Sequence, residues 1–210
     1  MEKWLESLNT EVISIFHHMD LFRKLGEIID KNQKMIEMDN TLVVWMRQAF
    51  IADLIISIGR ICDKNKRTGS LVNFLQELKN KNDYLTIERF IKMYPADDKW
   101  IANADFENLV GRGEQMFPIK TILKDISRIT LEEPFKKILL YRNKYIAHSD
   151  KERAEVSITL AELYQSFDII EEIMKKYNSL IRSSSFVQLT PVMQGDWEKI
   201  LTIPWIGSIN

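Results

Sequence analysis

Apolar residues recur every three or four positions along the first part of the chain, at Leu5, Leu8, Val12, Ile15, Met19 and Phe22. An α-helix turns once every 3.6 residues, so this spacing predicts one apolar helical face, which we expect to continue towards Ile29. A second apolar run, from about Thr41 to Ile61, has Asp39 or Asn40 as a possible N-cap. Because this run is apolar on most sides, we predict that its helix lies at the centre of a bundle.

The middle of the chain contains a polar turn that ends in Gly69, followed by Ser70 as the cap of a short apolar helix. From about residue 79 to 118 the apolar periodicity weakens. We interpret this part as a helical insertion or lid that packs on the bundle.

From Ile119 onwards the chain returns to a helical pattern. The acids and proline of Glu132-Glu133-Pro134 are favoured residues for the start of a further helix, and Thr159 opens a last long one. Residues from about 183 to 210 form a mixed tail, which we expect to pack on the bundle or on a partner. The pattern therefore predicts a single all-α domain over residues 1–210, in which the helices form a bundle.

Composition narrows the class of protein. The chain has 210 residues, of which 45% are hydrophobic and 28% are charged, as in ordinary soluble globular proteins. Its formal net charge of −1 gives no overall electrostatic preference for nucleic acid, so any RNA contact must come from local patches. The single cysteine, Cys62, excludes an intrachain disulfide and fits a reducing compartment. We find no signal-peptide pattern and no long apolar run, and we expect a cytoplasmic protein without membrane contact.

One segment combines the side chains that phosphodiester chemistry needs. It follows the apolar run 135–140 and contains Arg142, Asn143 and His148 within two helical turns. Arginine keeps its charge and presents a fork of N–H donors that matches phosphate oxygens. Histidine exchanges protons near neutral pH. This segment is the strongest candidate in the chain for a reactive site.

The same segment resembles the signature of the HEPN superfamily, in which an arginine and an adjacent polar residue precede a histidine by four to six residues. Here Arg142 and His148 have five residues between them, and Asn143 fills the polar position. The wider sequence, with residues 57–64 followed by Leu71, resembles the AbiU-type abortive-infection branch.

The resemblance implies an up-down four-helix bundle, here with an additional N-terminal helix and a helical insertion. It also implies cleavage of RNA without a metal or other cofactor. By this resemblance His148 acts as general acid or base and Arg142 holds the scissile phosphate. Asn143 would orient the phosphate or the histidine ring, and Lys144 would contact the RNA backbone. The products would carry 2′,3′-cyclic phosphate and 5′-OH ends.

The resemblance, taken together with helical geometry, implies a homodimer. Arg142 and His148 lie about 120° apart around an ideal helix, whereas Tyr141, Lys144 and Tyr145 align better with the histidine. Since family members use a composite cleft between two domains, we expect an isologous contact along this helix. The two tyrosines could stack on bases or pack at the dimer seam.

The tyrosine that follows the histidine by two residues in the branch paired with nucleotidyltransferase antitoxins is replaced here by Asp150. This replacement argues against silencing by AMP transfer to that position. Asp150 could instead steer His148 or lie on an exposed turn. The predicted partners are an RNA substrate and a second copy of the chain, and an antitoxin protein stays open.

Other polar residues have simpler interpretations. Asp53 lies in an apolar helix, where it either pairs with a cation, for which Arg47 and Arg60 are candidates, or lies on a helix edge that faces solvent. The adjacent pair His17-His18 points in two directions on a helix, so we do not expect a metal site there. The basic residues from Lys64 to Arg67 form either a solvated turn or an extension of an RNA path. A non-catalytic HEPN module that binds a nucleotide or a protein is the alternative function.

Overall fold

The computed structural model describes residues 1–37, 41–147, 156–184, 188–192 and 195–203, without the side chains of residues 35, 36, 82, 146 and 147. Its α-helices are α1 (Glu2–Asp30), α2 (Gln33–Glu37), α3 (Thr41–Ile61), α4 (Leu71–Asn80), α5 (Ile87–Ile91), α6 (Lys99–Val110), α7 (Ile119–Leu131), α8 (Glu133–Tyr141) and α9 (Leu160–Arg182). Short 3-10 helices occupy Asn82–Leu85, Ala96–Asp98 and Trp197–Thr202, and a π-helix occupies Arg142–Ala147. No strand occurs within the described residues, so the predicted all-α fold is confirmed.

The helices α4, α8 and α9 begin where the sequence predicts, whereas the two N-cap candidates of α3, Asp39 and Asn40, lie outside the described residues. Ser70 accepts a hydrogen bond from the amide of Asn73 at the start of α4. Thr159 and Glu162 form a capping box at the start of α9, in which each side chain satisfies a backbone amide of the other. Pro134 occupies the first turn of α8, where its missing N–H costs nothing.

The helices α1 and α3 run antiparallel, since His18 pairs with Asp53 and Glu11 with Arg60. In the same way α9 runs antiparallel to the consecutive helices α7 and α8, and the ion pairs between them are Arg128–Glu172 and Lys137–Glu162. The four rods α1, α3, α7–α8 and α9 enclose one core. Its largest fully buried side chains include Tyr177, Phe135 and Phe167.

Between the second and third rods, α4 packs on α7, and the short helices α5 and α6 pack on each other. The core also includes Phe90 and Phe106 from these elements. Whether residues 79–118 are an insertion stays a prediction. Near the C-terminal end, Leu189 is buried in the same core and its amide donates to Glu171.

The prediction that α3 lies at the centre of the bundle is wrong for half of that helix. Its C-terminal half buries Leu54, Ile55, Ile58 and Ile61, but its N-terminal half exposes Leu42, Val44 and Trp45. Only 33% of the most apolar 18-residue stretch of α3 is buried. By length and composition alone, α3 is able to cross a membrane. The core helix of a soluble protein passes the same test, so this finding is weak evidence for a membrane.

Candidate functional site

The segment singled out by its arginine begins where α8 ends. Residues Arg142–Ala147 continue the helix as a π-helix, whose hydrogen bonds reach five residues back instead of four. The wider turn changes the directions in which side chains point. Angles between side chains that hold for an ideal α-helix therefore do not apply to this segment. Single π-turns of this kind are common at functional sites.

Arg142 extends across the last turn of α3. Its Nη1 donates a hydrogen bond of 2.8 Å to the carbonyl oxygen of Gly59. In a continuing α-helix that carbonyl would accept from the amide of Asp63, but Asp63 bonds to Arg60 instead. The guanidinium therefore satisfies one of the free carbonyls at the C-terminus of α3, where a positive charge also matches the helix dipole.

The absence of a side chain at Gly59 makes this contact possible. A Cβ atom on residue 59 would lie 2.5 Å from Cδ and 2.7 Å from Nη1 of Arg142. Both separations are far shorter than van der Waals contact. The glycine thus allows the arginine stem to lie directly on the backbone of α3.

Asn143 holds the same guanidinium from the other side. Its Oδ1 accepts hydrogen bonds from Nε at 3.1 Å and from Nη2 at 3.0 Å. A guanidinium has five N–H donors, of which the described contacts with Gly59 and Asn143 use three. Two donors thus have no partner within the described residues, and the orientation of the planar group is set before any ligand binds.

The family of the chain is shown by its sequence. The family model of HEPN AbiU2, described as AbiU2, matches residues 1–200. The chain belongs to the HEPN AbiU2 family. Neither the curated proteins nor the solved structures contain a match. The resemblance noted in the sequence is therefore confirmed, and the chain is an HEPN module of the abortive-infection type.

Two tyrosines flank the arginine of this AbiU2 module. Tyr141 and Tyr145 stack with their ring centroids 4.7 Å apart and their planes 24° apart. Tyr141 also packs against the core. Lys144 is half-buried and makes no ion pair with the described residues. Tyr141 and Tyr145 lie about one helical turn apart, with Arg142 and Lys144 between them in the sequence. The aromatic pair and the two positive charges therefore belong to the same segment.

Two predicted site residues, His148 and Asp150, lie outside the described residues. The proximity of His148 to Arg142 and the steering role of Asp150 stay predictions. The structure brings together Arg142, Asn143, Lys144 and the two tyrosines on one segment. It adds Gly59 from α3.

Cys62, which directly follows α3, is 1% exposed. Burial raises the pKa of its thiol, and the positive charges of Arg142 and Lys64 oppose that rise in pKa. Arg142 contacts Gly59 in the last turn of α3, and Lys64 follows the end of that helix at Ile61. Arg142 and the basic turn after α3 therefore lie at the same end of the bundle.

Two features of the AbiU2 module do not follow from sequence reasoning. Gly59 belongs to the stretch that carries the family resemblance, but no local signal marks it as a support of Arg142, because 83 positions separate the two residues.

The prediction that Asp53 pairs with an arginine is wrong. Its Oδ2 lies 2.7 Å from Nδ1 of His18, while Arg47 pairs with Asp30. No group of three or more metal-ligating side chains occurs within the described residues.

Proposed function

We propose that this protein is a metal-independent endoribonuclease of a prokaryotic phage-defence or toxin system. It cleaves RNA to 2′,3′-cyclic phosphate and 5′-OH ends at a site completed by dimerisation. The proposal rests on membership of the HEPN AbiU2 family and on the arrangement of Arg142.

The reaction is a transesterification at phosphorus within the RNA strand. The ribose 2′-oxygen forms a bond to the adjacent phosphorus, and the bond from phosphorus to the 5′-oxygen of the next nucleotide breaks. A base removes the proton of the 2′-OH, and an acid delivers a proton to the departing 5′-oxygen. His148 is the proposed proton carrier for one of these steps, which contributes about 10²–10⁴-fold.

The observation that supports a catalytic role most directly is the fixed guanidinium of Arg142. The carbonyl of Gly59 and Oδ1 of Asn143 orient it, and two N–H donors have no partner within the described residues. Preoriented donors stabilise charge that develops on phosphate oxygens without reorganisation during the reaction. Asn143 acts in this proposal by aiming Arg142, and its own amide N–H₂ is able to donate to the phosphate.

Exposed apolar residues beside the segment support the dimer. Leu140 is 42% exposed on α8, and Leu160 is 45% exposed at the start of α9. The pair Lys137–Glu162 sets the antiparallel register of the two helices, so both leucines lie towards the end of the bundle that carries Arg142. An isologous contact through them brings two copies of the motif segment close to the two-fold axis.

Cleavage of end-labelled RNA in EDTA tests the proposal. The wild-type protein should produce cyclic-phosphate ends, and His148→Ala and Arg142→Ala should each abolish them. The matched controls are His17→Ala and Arg112→Ala, which change exposed residues elsewhere. Cleavage that persists in the His148 variant would contradict the proposal.

A non-catalytic module is the second candidate. In its favour, Arg142 already caps α3, so the arginine has a structural role that needs no substrate. Such a module would bind a nucleotide or a protein through the same segment. If this second function is correct, neither the wild-type protein nor its variants should cleave RNA of any of several classes.

A further inference from the structure

A polar groove lies between α1 and α3, on the side of α3 next to Gly59. It encloses about 480 Å³. Two pairs of residues face each other along the two antiparallel helices: His18 with Asp53, and Glu11 with Arg60. Ser14 and Ser57 line the groove as well.

Arg60 is the most accessible cation of this groove, with its side chain 67% exposed. Its Nη2 lies 2.9 Å from Oε1 of Glu11. That carboxylate oxygen is buried and accepts no hydrogen bond in the described part of the chain. The contact between Glu11 and Arg60 is therefore an ion pair whose N–H group does not point at the oxygen. Glu11 therefore restrains Arg60 while the remaining N–H donors of the guanidinium are available at the mouth of the groove.

The opposite end of the groove holds His18. Its Nδ1 is bonded to Oδ2 of Asp53 at 2.7 Å, so its second nitrogen, Nε2, is the one left for a ligand. Ser14 precedes His18 by one turn of α1, and Ser57 follows Asp53 by one turn of α3. Along the groove, the two serines lie between the histidine and the arginine. The arginine and serine groups are donors suited to phosphate oxygens, and Nε2 of His18 joins them as a donor when the imidazole is protonated, because Asp53 accepts the Nδ1–H.

The groove continues the candidate site. Arg60 follows Gly59, whose carbonyl holds Arg142, and successive residues of a helix point about 100° apart. The two arginines thus flank the last turns of α3. The exposed residues Lys64, Lys66 and Arg67 follow at the same end. A single nucleic-acid strand that contacts Arg142 would pass Arg60 as it crosses α3.

We propose that Arg60, together with His18, Ser14 and Ser57, forms a second phosphate subsite for the RNA strand whose scissile phosphate lies at Arg142. Glu11 and Asp53 hold the arginine and the histidine in place from behind. Because these two carboxylates offset the positive charge, the subsite binds a phosphodiester within a longer strand and discriminates against free inorganic phosphate. This inference rests on the proposed function, since it requires RNA to be the ligand at Arg142.

Binding of a single-stranded 2′-O-methyl RNA, followed by fluorescence anisotropy, tests the subsite without cleavage, because the nucleophile is blocked. For a single strand, each phosphate that a cation of the protein neutralises contributes about 0.7 to the slope of log affinity against log salt concentration. Arg60→Ala should lower the slope by that amount. The affinity ratio of wild type to variant should then shrink about 2.6-fold between 50 and 200 mM salt.

Arg47→Ala is the matched control, because Arg47 lies on the same helix and is also a partly exposed partner of a carboxylate. It should leave the slope unchanged. Glu11→Gln removes a negative charge behind Arg60 and should tighten RNA binding. Circular dichroism melting should verify that each variant is folded, and an excess of inorganic phosphate at constant ionic strength should not displace the RNA.

The outcomes separate the subsite from the proposed function. A lower slope in Arg142→Ala with an unchanged slope in Arg60→Ala would overturn the subsite alone. A lower slope in Arg60→Ala with an unchanged slope in Arg142→Ala would show a phosphate contact at Arg60 but contradict the contact at Arg142, and it would overturn the strand path that joins the two. A wild-type protein that does not bind the RNA would overturn both.

Discussion

Gly59 and Arg142 lie in direct contact although 83 positions separate them: Nη1 of the arginine is 2.8 Å from the glycine carbonyl. The contact joins the end of α3 to the segment that carries the family motif. It fixes the arginine by two features of one residue, the carbonyl that accepts its hydrogen bond and the missing Cβ that makes room for its stem.

Replacement of Gly59 by alanine should therefore displace Arg142. The new methyl group would overlap Cδ of the arginine, which must swing away from its present position. Since a displacement of about 1 Å can cost on the order of 10²-fold in rate, we expect a reduction of that order in RNA cleavage. Single-turnover cleavage measures it.

Gly26→Ala is the control for that substitution, because a Cβ at Gly26 meets nothing within 4 Å. In the interior of α1 this change should stabilise the protein by about 0.5–1 kcal/mol. It should leave cleavage unchanged. Equal activity of Gly59→Ala and Gly26→Ala would contradict the positioning role of Gly59.

The exposed leucine at the motif end of α8 should contribute to dimerisation. Leu140→Lys places a charge where the proposed isologous contact buries an apolar side chain, and both copies carry the change. We expect the variant to sediment as a monomer in analytical ultracentrifugation and to lose cleavage. Leu123→Lys alters a leucine of similar exposure on α7 and should remain dimeric. A dimeric Leu140→Lys protein would place the interface elsewhere.

The buried Asp125 should be essential for stability. It is 1% exposed, and its carboxylate accepts hydrogen bonds from Nζ of Lys176 and from the hydroxyl of Tyr177. Asp125→Ala removes the closer of the two carboxylates beside the ammonium group of Lys176, while Glu172 remains 3.7 Å away. We therefore expect a cost of about 3 kcal/mol, at the low end for a broken buried ion pair. Urea unfolding should show this reduction in stability. Tyr177→Phe removes one hydrogen bond and should cost only about 1–2 kcal/mol. Similar reductions in both variants would contradict the dominance of the ion pair.

The pair Arg128–Glu172 should make stability depend on pH. The hydrogen bond from Arg128 lowers the pKa of Glu172 below its ordinary value of 4.5. Because the folded-state pKa is the lower one, the stabilisation is fully present above pH 4.5 and is lost as the pH falls through the folded-state pKa. The side chain of Glu172 is 54% exposed, so solvent screening limits the effect to under about 1 kcal/mol.

Urea unfolding of Glu172→Gln at neutral and acidic pH measures this contribution. The variant should be less stable than wild type at pH 7, and the difference should vanish in acid. Glu6→Gln changes an exposed glutamate without an ion pair to the described residues and should show no such difference. A constant difference between wild type and Glu172→Gln across this pH range would exclude the ionised pair as its cause.

Local patterns in the sequence predict most helices well. Thr41 and Ile61 bound α3 as expected, and Ser70 and Thr159 cap the helices that they are predicted to begin. These successes share a cause, because capping and amphipathic spacing act over a few residues. The predicted pairing of Asp53 is wrong for the opposite reason. Its partner, His18, lies 35 positions away and is selected by the register of α1 against α3.

The sequence by itself determined the all-α class, the family and the motif segment, because periodicity, caps and the order of Arg142, Asn143 and His148 are properties of the linear chain. Tertiary structure alone decided which residues support that segment. Helix packing brings Gly59 beneath Arg142, and the register of α1 against α3 brings Arg60 beside Glu11. Such contacts depend on the rotation and offset of whole helices. Those quantities are set by how the entire core packs and not by any local pattern.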